Sequence, residues 1–376
     1  MRIGIFTLHS STNYGGALQS FALSEVLKNM GHEPEIVCFF SAEAVPYLRK
    51  IVGVFNIYPF SKLFFLLYST ARKILLKRKN SQNITTAKNL IFRSFYEKYL
   101  SYTQPVKAEE LSGLVPMYDV LITGSDQVWT NLYAFNLVFF FDKLDNYKGK
   151  RISYAACSAH NKVPIYNKNK IKKLLLKFDF ISVRDSTTKK LVKGLCGFDV
   201  PIVVDPTLLL DFTPYIKKVK ENVPYIFCYI LGDDPYGGHK VALDRIKKKY
   251  GNLKVITIAS SNSSIRSYSD DFVETLSPLE WVNLIYHANF VYTDSFHAMI
   301  FSLKFEKDFV AYYSEIVRAS RILALRDEFK LENLVVGSTF KIDMENISYD
   351  KGFVKYRIQE MNDFSLNFLR KSLEDR

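Results

Sequence analysis

Residues 2–40 read RIGIFTLHSSTNYGGALQSFALSEVLKNMGHEPEIVCFF, and this stretch decides the fold class. The apolar run at 2–7 predicts a buried strand, and the run at 17–30, which stops before Gly31, predicts a helix. A second strand is predicted at 35–40. A strand, a helix and a second strand in this order form a βαβ unit, from which parallel sheets are built.

The same alternation continues along the chain and predicts a second sheet. Predicted strands and helices alternate up to a strand at 201–204, and a second alternating series, which includes a strand at 290–293, follows the polar stretch 213–224. We therefore expect an α/β protein with two doubly wound, Rossmann-like domains that face a cleft, one at 1–212 and one at 213–376. The second domain is predicted to end in an amphipathic helix. Ligands of such sheets bind beyond the carboxyl ends of the strands, so the loops at those ends are the places to search.

Composition excludes several classes of protein. The chain has 376 residues, 48% apolar and 15% aromatic, which excludes disordered and collagen-like chains. Its four cysteines lie far apart and form no CxxC pair, so neither a zinc site nor a redox motif is predicted, and a reducing compartment is favoured. The first apolar run is too short for a signal peptide. We interpret the protein as cytoplasmic, without a bound metal.

The basic charge of the chain is concentrated in one segment. Fifty-one Lys and Arg against 38 Asp and Glu give a net charge of +13, and residues 44–96 hold ten of the basic residues and no acid. The apolar run in this segment is interrupted by charges, so it does not reach the about 20 residues needed to span a membrane. It is typical of a helix that lies at an anionic membrane surface, and equally of a core helix with a solvated basic end. Nucleic-acid binding ranks lowest because no nucleic-acid motif accompanies the charge.

Two loops that follow predicted strands suit a sugar acceptor. The first opens a helix, where backbone N–H groups favour an anion or a sugar hydroxyl, although a tight turn explains the loop as well. The second loop, at 124–129, combines a Gly that allows a turn with planar polar side chains and an aromatic ring, as carbohydrate sites do. The alternative is a helix capped by the Asp, with the Trp buried. The candidate acceptor-binding residues are Asn13, Tyr14, Gly15, Gly16, Ser125, Asp126, Gln127 and Trp129.

Cationic residues lie at strand ends in both halves. Arg184 follows a predicted strand and is suited to clamp a carboxylate or phosphate, unless it forms a surface ion pair with Asp185. His297 lies in the first turn of a helix, which suits a ligand-binding His; a His satisfied in the core is the alternative. Arg318 and Arg321 share one face of a later helix and are suited to add positive charge to the same cleft.

Eight motifs, taken together, carry a resemblance to one family. They are NYGGALQSFAL at 13–23, GHEPEIVCF at 31–39, LITGSDQVW at 121–129, ISYAAC at 152–157, SVRD at 182–185, VVDPTLLL at 203–210, TDSFHAMIFSL at 293–303 and SRI at 320–322. In this order they resemble the polysaccharide pyruvyl transferase family. The resemblance implies a two-lobed fold like that of GT-B glycosyltransferases, with the acceptor on the first domain and the donor on the second.

The resemblance also implies an activity and residue roles. Family members of known activity move the enolpyruvyl unit of phosphoenolpyruvate onto two hydroxyls of a sugar, which forms a pyruvate ketal and releases phosphate. Arg184 and His297 align with residues that bind the acidic groups of the donor, and His297 is also the candidate catalytic acid or base. Ser295 stands where many members carry an Arg: either Arg318, Arg321 or another cation replaces that clamp, or the donor is held differently, or the chemistry differs. Ser295, Arg318 and Arg321 are, with Arg184, the candidate donor-binding residues. No cofactor or metal is expected, since phosphoenolpyruvate is a co-substrate.

The implied partners are phosphoenolpyruvate and a sugar acceptor, and bacterial surface polysaccharides are commonly begun on lipid carriers at the cytoplasmic face of the membrane. The basic segment 44–96 would then place the protein on the inner face of the plasma membrane. No nucleic-acid partner is expected. Two other functions stay open at this point: a nucleotide-sugar glycosyltransferase of GT-B type, and a non-catalytic scaffold at the membrane surface.

Overall fold

The computed structural model describes part of the chain: residues 1–9, 12–40, 52, 82–158, 160–218, 223–232, 238–259, 265–313, 316–338, 340 and 342–374. The side chains of 82–85 and 316–318 lie outside this description, as does most of the basic segment 44–96. The prediction that this segment lies at a membrane surface therefore stays a prediction.

The N-terminal half forms a five-stranded sheet and a short two-stranded one. Its strands are β1 (Arg2–Phe6), β2 (Glu33–Ile36), β3 (Phe39–Phe40), β4 (Val106–Lys107), β5 (Val120–Thr123), β6 (Lys150–Ala156) and β7 (Phe180–Val183). Its helices are α1 (Tyr14–Asn29), α2 (Gln82–Tyr99), α3 (Leu111–Leu114), α4 (Ile165–Leu175), α5 (Ser186–Cys196) and α6 (Pro206–Leu209). The five strands are parallel in the order β2-β1-β5-β6-β7, and β3 pairs with β4.

The C-terminal half forms a six-stranded parallel sheet in the order β10-β9-β8-β11-β12-β13. Its strands are β8 (Tyr225–Tyr229), β9 (Lys254–Ile258), β10 (Asp271–Val273), β11 (Phe290–Thr293), β12 (Phe309–Tyr312) and β13 (Val335–Val336). Its helices are α7 (Gly238–Tyr250), α8 (Pro278–His287), α9 (Phe296–Lys304), α10 (Ile316–Phe329) and α11 (Lys351–Glu374).

The sequence predicted this architecture, and the predicted fold class is confirmed. Helix α1 begins three residues before its predicted start, because the Asn13 side chain accepts a hydrogen bond from the Gly16 amide and caps the helix there. The predicted strand at 201–204 is reduced to a single bridge between Ile202 and Val183. The domain boundary at 212/213 stays a prediction.

The two halves share one apolar core. The ring of Tyr14 at the start of α1 stacks on Trp281 of α8, with centroids 5.5 Å apart and planes 7° apart. Phe212 lies between Phe21 of α1 and Phe301 of α9, at 6.1 and 4.9 Å. Since aromatic rings contribute the largest buried areas per residue, this packing holds the strand ends of the two sheets side by side.

The last helix, α11, returns to the first half of the chain. Its Ser365 hydroxyl accepts a hydrogen bond from the Val204 amide at 3.0 Å, and Lys150 of β6 donates to the Ser372 carbonyl at 3.3 Å. Asn362 donates to the Leu208 carbonyl at 3.1 Å. None of the helices within the described residues combines the length and the hydropathy needed to cross a membrane.

Candidate active site

The order of the strands places one crevice in each sheet. In the first sheet the chain runs from β1 outward to β2 and then returns to β5 on the other side of β1. In the second sheet it runs from β8 to β9 and returns to β11 on the other side of β8. Loops leave in opposite directions at these points, so a crevice opens beyond the carboxyl ends of the strands. The loops and helix starts after β1, β5, β7 and β11 carry the candidate residues of the sequence analysis, except Arg318 and Arg321, which lie on α10 after β12.

A buried carboxylate, that of Asp205, connects the two halves. Its Oδ2 atom accepts a hydrogen bond from Nη1 of Arg184 at 2.6 Å and lies 3.5 Å from Nε2 of His297. The Ser125 hydroxyl lies 3.4 Å from the same oxygen. The other oxygen, Oδ1, caps α6 by accepting from the amide and hydroxyl of Thr207 at 3.0 and 2.7 Å. The structure thus brings Arg184 and His297, one from each half, to one oxygen atom.

A second carboxylate, that of Asp126, binds the far side of the same guanidinium. Nη2 of Arg184 donates to Oδ1 of Asp126 at 2.8 Å, and Nη1 of Arg321 lies 3.6 Å from that oxygen. Basic and acidic side chains therefore alternate along one chain of contacts, which we call the site cluster: Arg321, Asp126, Arg184, Asp205 and His297. The alternative pairing of Arg184 with Asp185 is not found, since Asp185 caps α5 by accepting from the Thr188 amide at 2.7 Å.

The charges of the site cluster shift the pKa values within it. Burial alone would raise the pKa of Asp126, but Arg184, His297 and Arg321 outweigh it and hold the pKa below its usual value. For Asp205 the burial effect is again outweighed, here by the His297 contact and by Arg184, and the pKa is lowered. Two carboxylates thus offset two guanidinium groups. The sequence predicted a gap with excess positive charge, and the structure corrects this to a balanced cluster, because a buried unpaired charge is costly.

Phe296 lies beside both guanidinium groups. The Cζ atoms of Arg184 and Arg321 are 4.8 and 5.3 Å from its ring centroid. A ring face attracts a guanidinium at such distances, so Phe296 helps to hold two like charges close together. The two arginines differ in exposure, with 17% of the Arg321 side chain accessible against 3% for Arg184.

His297 is held against the start of α1. A Cβ atom placed on Gly15 would lie only 2.0 Å from Nδ1 of His297. The imidazole therefore occupies the space that any side chain at position 15 would need. This is why the first turn of α1 requires glycine at position 15, whereas the side chain of Asn13 and the amide of Gly16 form the cap of the helix.

Two predicted acceptor-binding residues lie in the core instead. Trp129 is fully buried, stacks on Phe140 at 4.9 Å and donates its Nε1 hydrogen to the Phe139 carbonyl at 3.0 Å. Tyr14 is also fully buried and stacks on Trp281. The expectation that Trp129 stacks on a sugar is corrected, and so is the expectation that Tyr14 contacts the acceptor, because neither ring has an exposed face. For Trp129 this is the buried-Trp alternative that the sequence left open.

The remaining predicted site residues differ in burial and in the groups they bond. Ser125 is buried and donates from its hydroxyl to the Ala155 carbonyl at 3.2 Å. Gln127 is half-buried, and its carbonyl accepts from the Thr130 amide at 3.2 Å. The Ser295 hydroxyl caps α9 through the Ala298 amide at 3.4 Å. The side chain of Arg318 lies outside the described residues.

Sequence reasoning missed Asp205, Phe296 and Gln19. Gln19 of α1 donates to the Thr7 hydroxyl at 2.8 Å and accepts from the Ser125 amide at 3.0 Å, which fixes the loop after β5 to α1. Asp205 precedes a proline after an apolar run, a pattern that predicts only a helix cap. Its second oxygen acquires a further role only where the two halves meet. None of the described His, Cys, Asp and Glu side chains form a group that could hold a metal ion.

Acidification is expected to weaken the fold through the site cluster. The pKa of the Asp126 carboxyl is lower in the folded protein than in the unfolded chain, where it is about 3.9. Such a carboxyl contributes its full stabilisation at pH values above the pKa of the unfolded chain, and the contribution is lost as the pH falls towards the pKa of the folded protein. Asp126→Asn should therefore lower Tm at pH 7, and its difference from the unsubstituted protein should shrink below about pH 4. Thermal unfolding between pH 7 and pH 3 measures this. Asp363→Asn, an exposed change on α11, is the control. A difference for Asp126→Asn that does not vary with pH would contradict the expectation.

Comparisons with known proteins agree with the fold and name a family. A sequence model described as polysaccharide pyruvyl transferase matches residues 13–315. A putative UDP-N-acetylglucosamine 2-epimerase from Listeria monocytogenes is similar in structure, with TM-score 0.53, 12% identity, and coverage of 100% of this chain and 97% of that chain. An alpha-glucosyltransferase in complex with UDP and a 13-mer DNA gives TM-score 0.50 at 13% identity, over 99% and 95% of the two chains. No curated protein matches the sequence. At such low identity the two structures indicate a shared GT-B fold alone.

Proposed function

We propose, since the chain belongs to the polysaccharide pyruvyl transferase family, that it moves the enolpyruvyl unit of phosphoenolpyruvate onto two hydroxyls of a sugar. The observation that carries the proposal is that Arg184 and His297, from different halves, meet at Asp205. A site between two facing sheets suits a donor held by one half and an acceptor held by the other.

The exposure of the two arginines supports separate tasks. The guanidinium of Arg321 is the more accessible one, and its contact with Asp126 is long at 3.6 Å. We assign the first contact with the donor's phosphate or carboxylate to Arg321. In this role Arg321 substitutes for the Arg that many family members carry at the position of Ser295. Arg184 holds Asp126 and Asp205 at 2.8 and 2.6 Å and keeps the cluster assembled. Charged hydrogen bonds of this kind contribute about 1.5–3 kcal/mol each.

His297 is proposed as the acid. Its proton passes to the methylene carbon of phosphoenolpyruvate, which leaves an oxocarbenium-like centre at the neighbouring carbon. One sugar hydroxyl adds to that carbon and returns a proton to His297. The bond between this carbon and the phosphate oxygen then breaks, the second hydroxyl bonds to the same carbon and closes the ketal ring, and its proton leaves with the phosphate. A positioned acid or base contributes about 10²- to 10⁴-fold in rate.

The acceptor is proposed to be a precursor of a surface polysaccharide that is bound to a lipid at the inner face of the plasma membrane. The basic segment 44–96 supports this location by its composition. The loop after β5, with the partly exposed side chains of Asp126 and Gln127 beside the buried Ser125, is the proposed acceptor side. The buried rings of Tyr14 and Trp129 are no part of it.

A ligand panel and one variant test the function. Phosphoenolpyruvate should raise Tm, and nucleoside diphosphates should not. His297→Ala should slow phosphate release from phosphoenolpyruvate, in the presence of a panel of saccharides with free vicinal hydroxyls, by at least about tenfold. His287→Ala, which removes an exposed imidazole bonded to the Lys217 carbonyl, is the matched control. Stabilisation by nucleoside diphosphates alone would instead favour a nucleotide-sugar glycosyltransferase, and unchanged turnover would remove His297 from the chemistry.

A further inference from the structure

A second concentration of positive charge lies on the described surface, at α4 and α5. Residues 160–200 contain nine lysines, at 162, 168, 170, 172, 173, 177, 189, 190 and 193. Apart from Arg184 and Asp185, which belong to the site, the acids of this stretch are Asp179 and Asp199. Nine lysines against two aspartates leave a net charge of +7, more than half of the +13 of the chain. The proposed reaction makes no use of it.

The two helices present this charge outward on one face. Helices α4 and α5 pack side by side, and their apolar residues face the core beneath them; these are Ile171, Leu174, Leu175, Leu191, Val192 and Leu195. The opposite face of each helix carries the lysines. We call the exposed face of α4 and α5, with the turns that flank them, the lysine face.

Several lysines of this face have no carboxylate partner among the described residues. Salt bridges join Lys170 to Asp142 at 2.6 Å and Lys193 to Asp199 at 3.1 Å, and Lys177 pairs with Asp145. The exposed lysines without a salt bridge in the described part of the chain are Lys162, Lys168, Lys172, Lys173 and Lys190. Like charges this close repel one another, so an anionic surface that covers the face is favourable.

Exposed apolar side chains lie among the lysines. Ile165 is 80% exposed at the start of α4, Leu176 is 55% exposed just after its end, and Phe198 is 40% exposed beyond α5. Ile165 and Leu176 are eleven residues apart, about three helical turns, so they share a side of α4 with Lys172 between them. A nucleic acid would gain nothing from these aliphatic groups. The interface of an anionic bilayer takes up both lysines and aliphatic side chains.

We propose that the lysine face docks on an anionic phospholipid surface. Helix α5 begins directly after Arg184 and Asp185, so Lys189 and Lys190 lie about one helical turn from the site cluster. Docking through this face holds the candidate active site next to the membrane, where a lipid-linked acceptor of the proposed function would be met. The charge and exposure that support the docking do not depend on the reaction.

Vesicle binding with matched charge variants tests this. The full chain is sedimented with vesicles of phosphatidylcholine, with or without phosphatidylglycerol. The quadruple variant Lys168→Glu, Lys172→Glu, Lys173→Glu and Lys190→Glu should bind the anionic vesicles at least about tenfold more weakly. The control, Lys148→Glu, Lys248→Glu, Lys355→Glu and Lys371→Glu, changes the net charge equally at exposed lysines outside the face and should bind nearly as the unsubstituted chain does.

Three results would overturn the proposal. Equal losses of binding in both quadruple variants would indicate attraction by net charge alone. Undiminished binding in the first variant would leave the basic segment 44–96 as the contact. The third result concerns the double variant Ile165→Ser, Leu176→Ser, whose binding to DNA is measured beside its binding to vesicles: an equal loss for both would contradict a bilayer contact. The rise in Tm with phosphoenolpyruvate is measured for every variant. It should be unchanged, so a failure of docking and a failure of the proposed reaction remain distinguishable.

Discussion

Replacing Asp205 with asparagine is expected to lower turnover at least about tenfold while the affinity for phosphoenolpyruvate is kept or increased. The carboxylate contacts His297 and Arg184 at 3.5 and 2.6 Å, so it orients the imidazole and also offsets a positive charge. The amide of asparagine preserves the shape and the cap on Thr207 but removes the negative charge. The cluster then has excess positive charge, which favours an anionic donor, while His297 loses the partner that sets its orientation.

Lower turnover together with unchanged or higher affinity would distinguish a positioning role of Asp205 from a purely structural one. A structural role predicts weaker binding and lower turnover together, because loss of one partner of a buried ion pair costs about 3–5 kcal/mol of stability. Calorimetric titration with phosphoenolpyruvate and rates of phosphate release give the two quantities, at a temperature where the variant is folded. Asp211→Asn is the matched control, because the Asp211 carboxylate accepts a hydrogen bond from the Thr213 amide at 2.9 Å, as the Asp205 carboxylate does from the Thr207 amide at 3.0 Å. Lost affinity with lost turnover would contradict the positioning role.

Replacing Gly15 with alanine is expected to abolish most of the activity. The added Cβ would lie 2.0 Å from Nδ1 of His297, so the imidazole or the start of α1 must move. A displacement of about 1 Å at a reacting group is enough to cost about 10²-fold in rate. Gly15 has no side chain that could react, so the loss would come from displacement of His297.

A second glycine serves as the control for this change. Gly194 lies in α5, and a Cβ placed on it meets nothing within 4 Å. Gly194→Ala should keep full activity and raise stability by about 0.5–1 kcal/mol, because alanine is the better residue inside a helix. Phosphate release and thermal unfolding of both variants measure the outcome. Full activity of Gly15→Ala would show that the imidazole does not work from the position that the structure gives it.

The predicted elements agree with the structure where one local pattern decides. The strand at 2–7, the helix ending before Gly31 and the strand at 290–293 are set by apolar periodicity and by breaking residues, and each is found within a few residues of its prediction. The strand predicted at 201–204 is reduced to one bridge, because strand pairing depends on a neighbour as well as on composition.

The structure brings together three cationic side chains that the sequence analysis singled out, and their roles in binding or catalysis stay predictions; the partner carboxylate Asp205 was not singled out. A cation at a strand end is visible in the sequence, and Arg184 and His297 were singled out in this way, whereas Arg321 was singled out by its spacing from Arg318 on one helix face. Asp205 and Asp126 resemble ordinary capping residues, so their pairing with those cations could not be read from spacing. Trp129 and Tyr14 show the converse, since an aromatic ring near a candidate loop gives no sign of whether it faces solvent or the core.

The order of apolar and polar residues, by itself, determined that this protein is an α/β chain with two parallel sheets, because each strand and helix buries its own apolar side and needs no distant partner to be recognised. Only the tertiary structure decided that Arg184 and His297, 113 positions apart, meet at one buried oxygen of Asp205. That contact depends on the packing of α1 and α6 against α8 and α9. Electrostatic pairing in a buried site depends on distances of a few ångströms, and sequence separation carries no information about them.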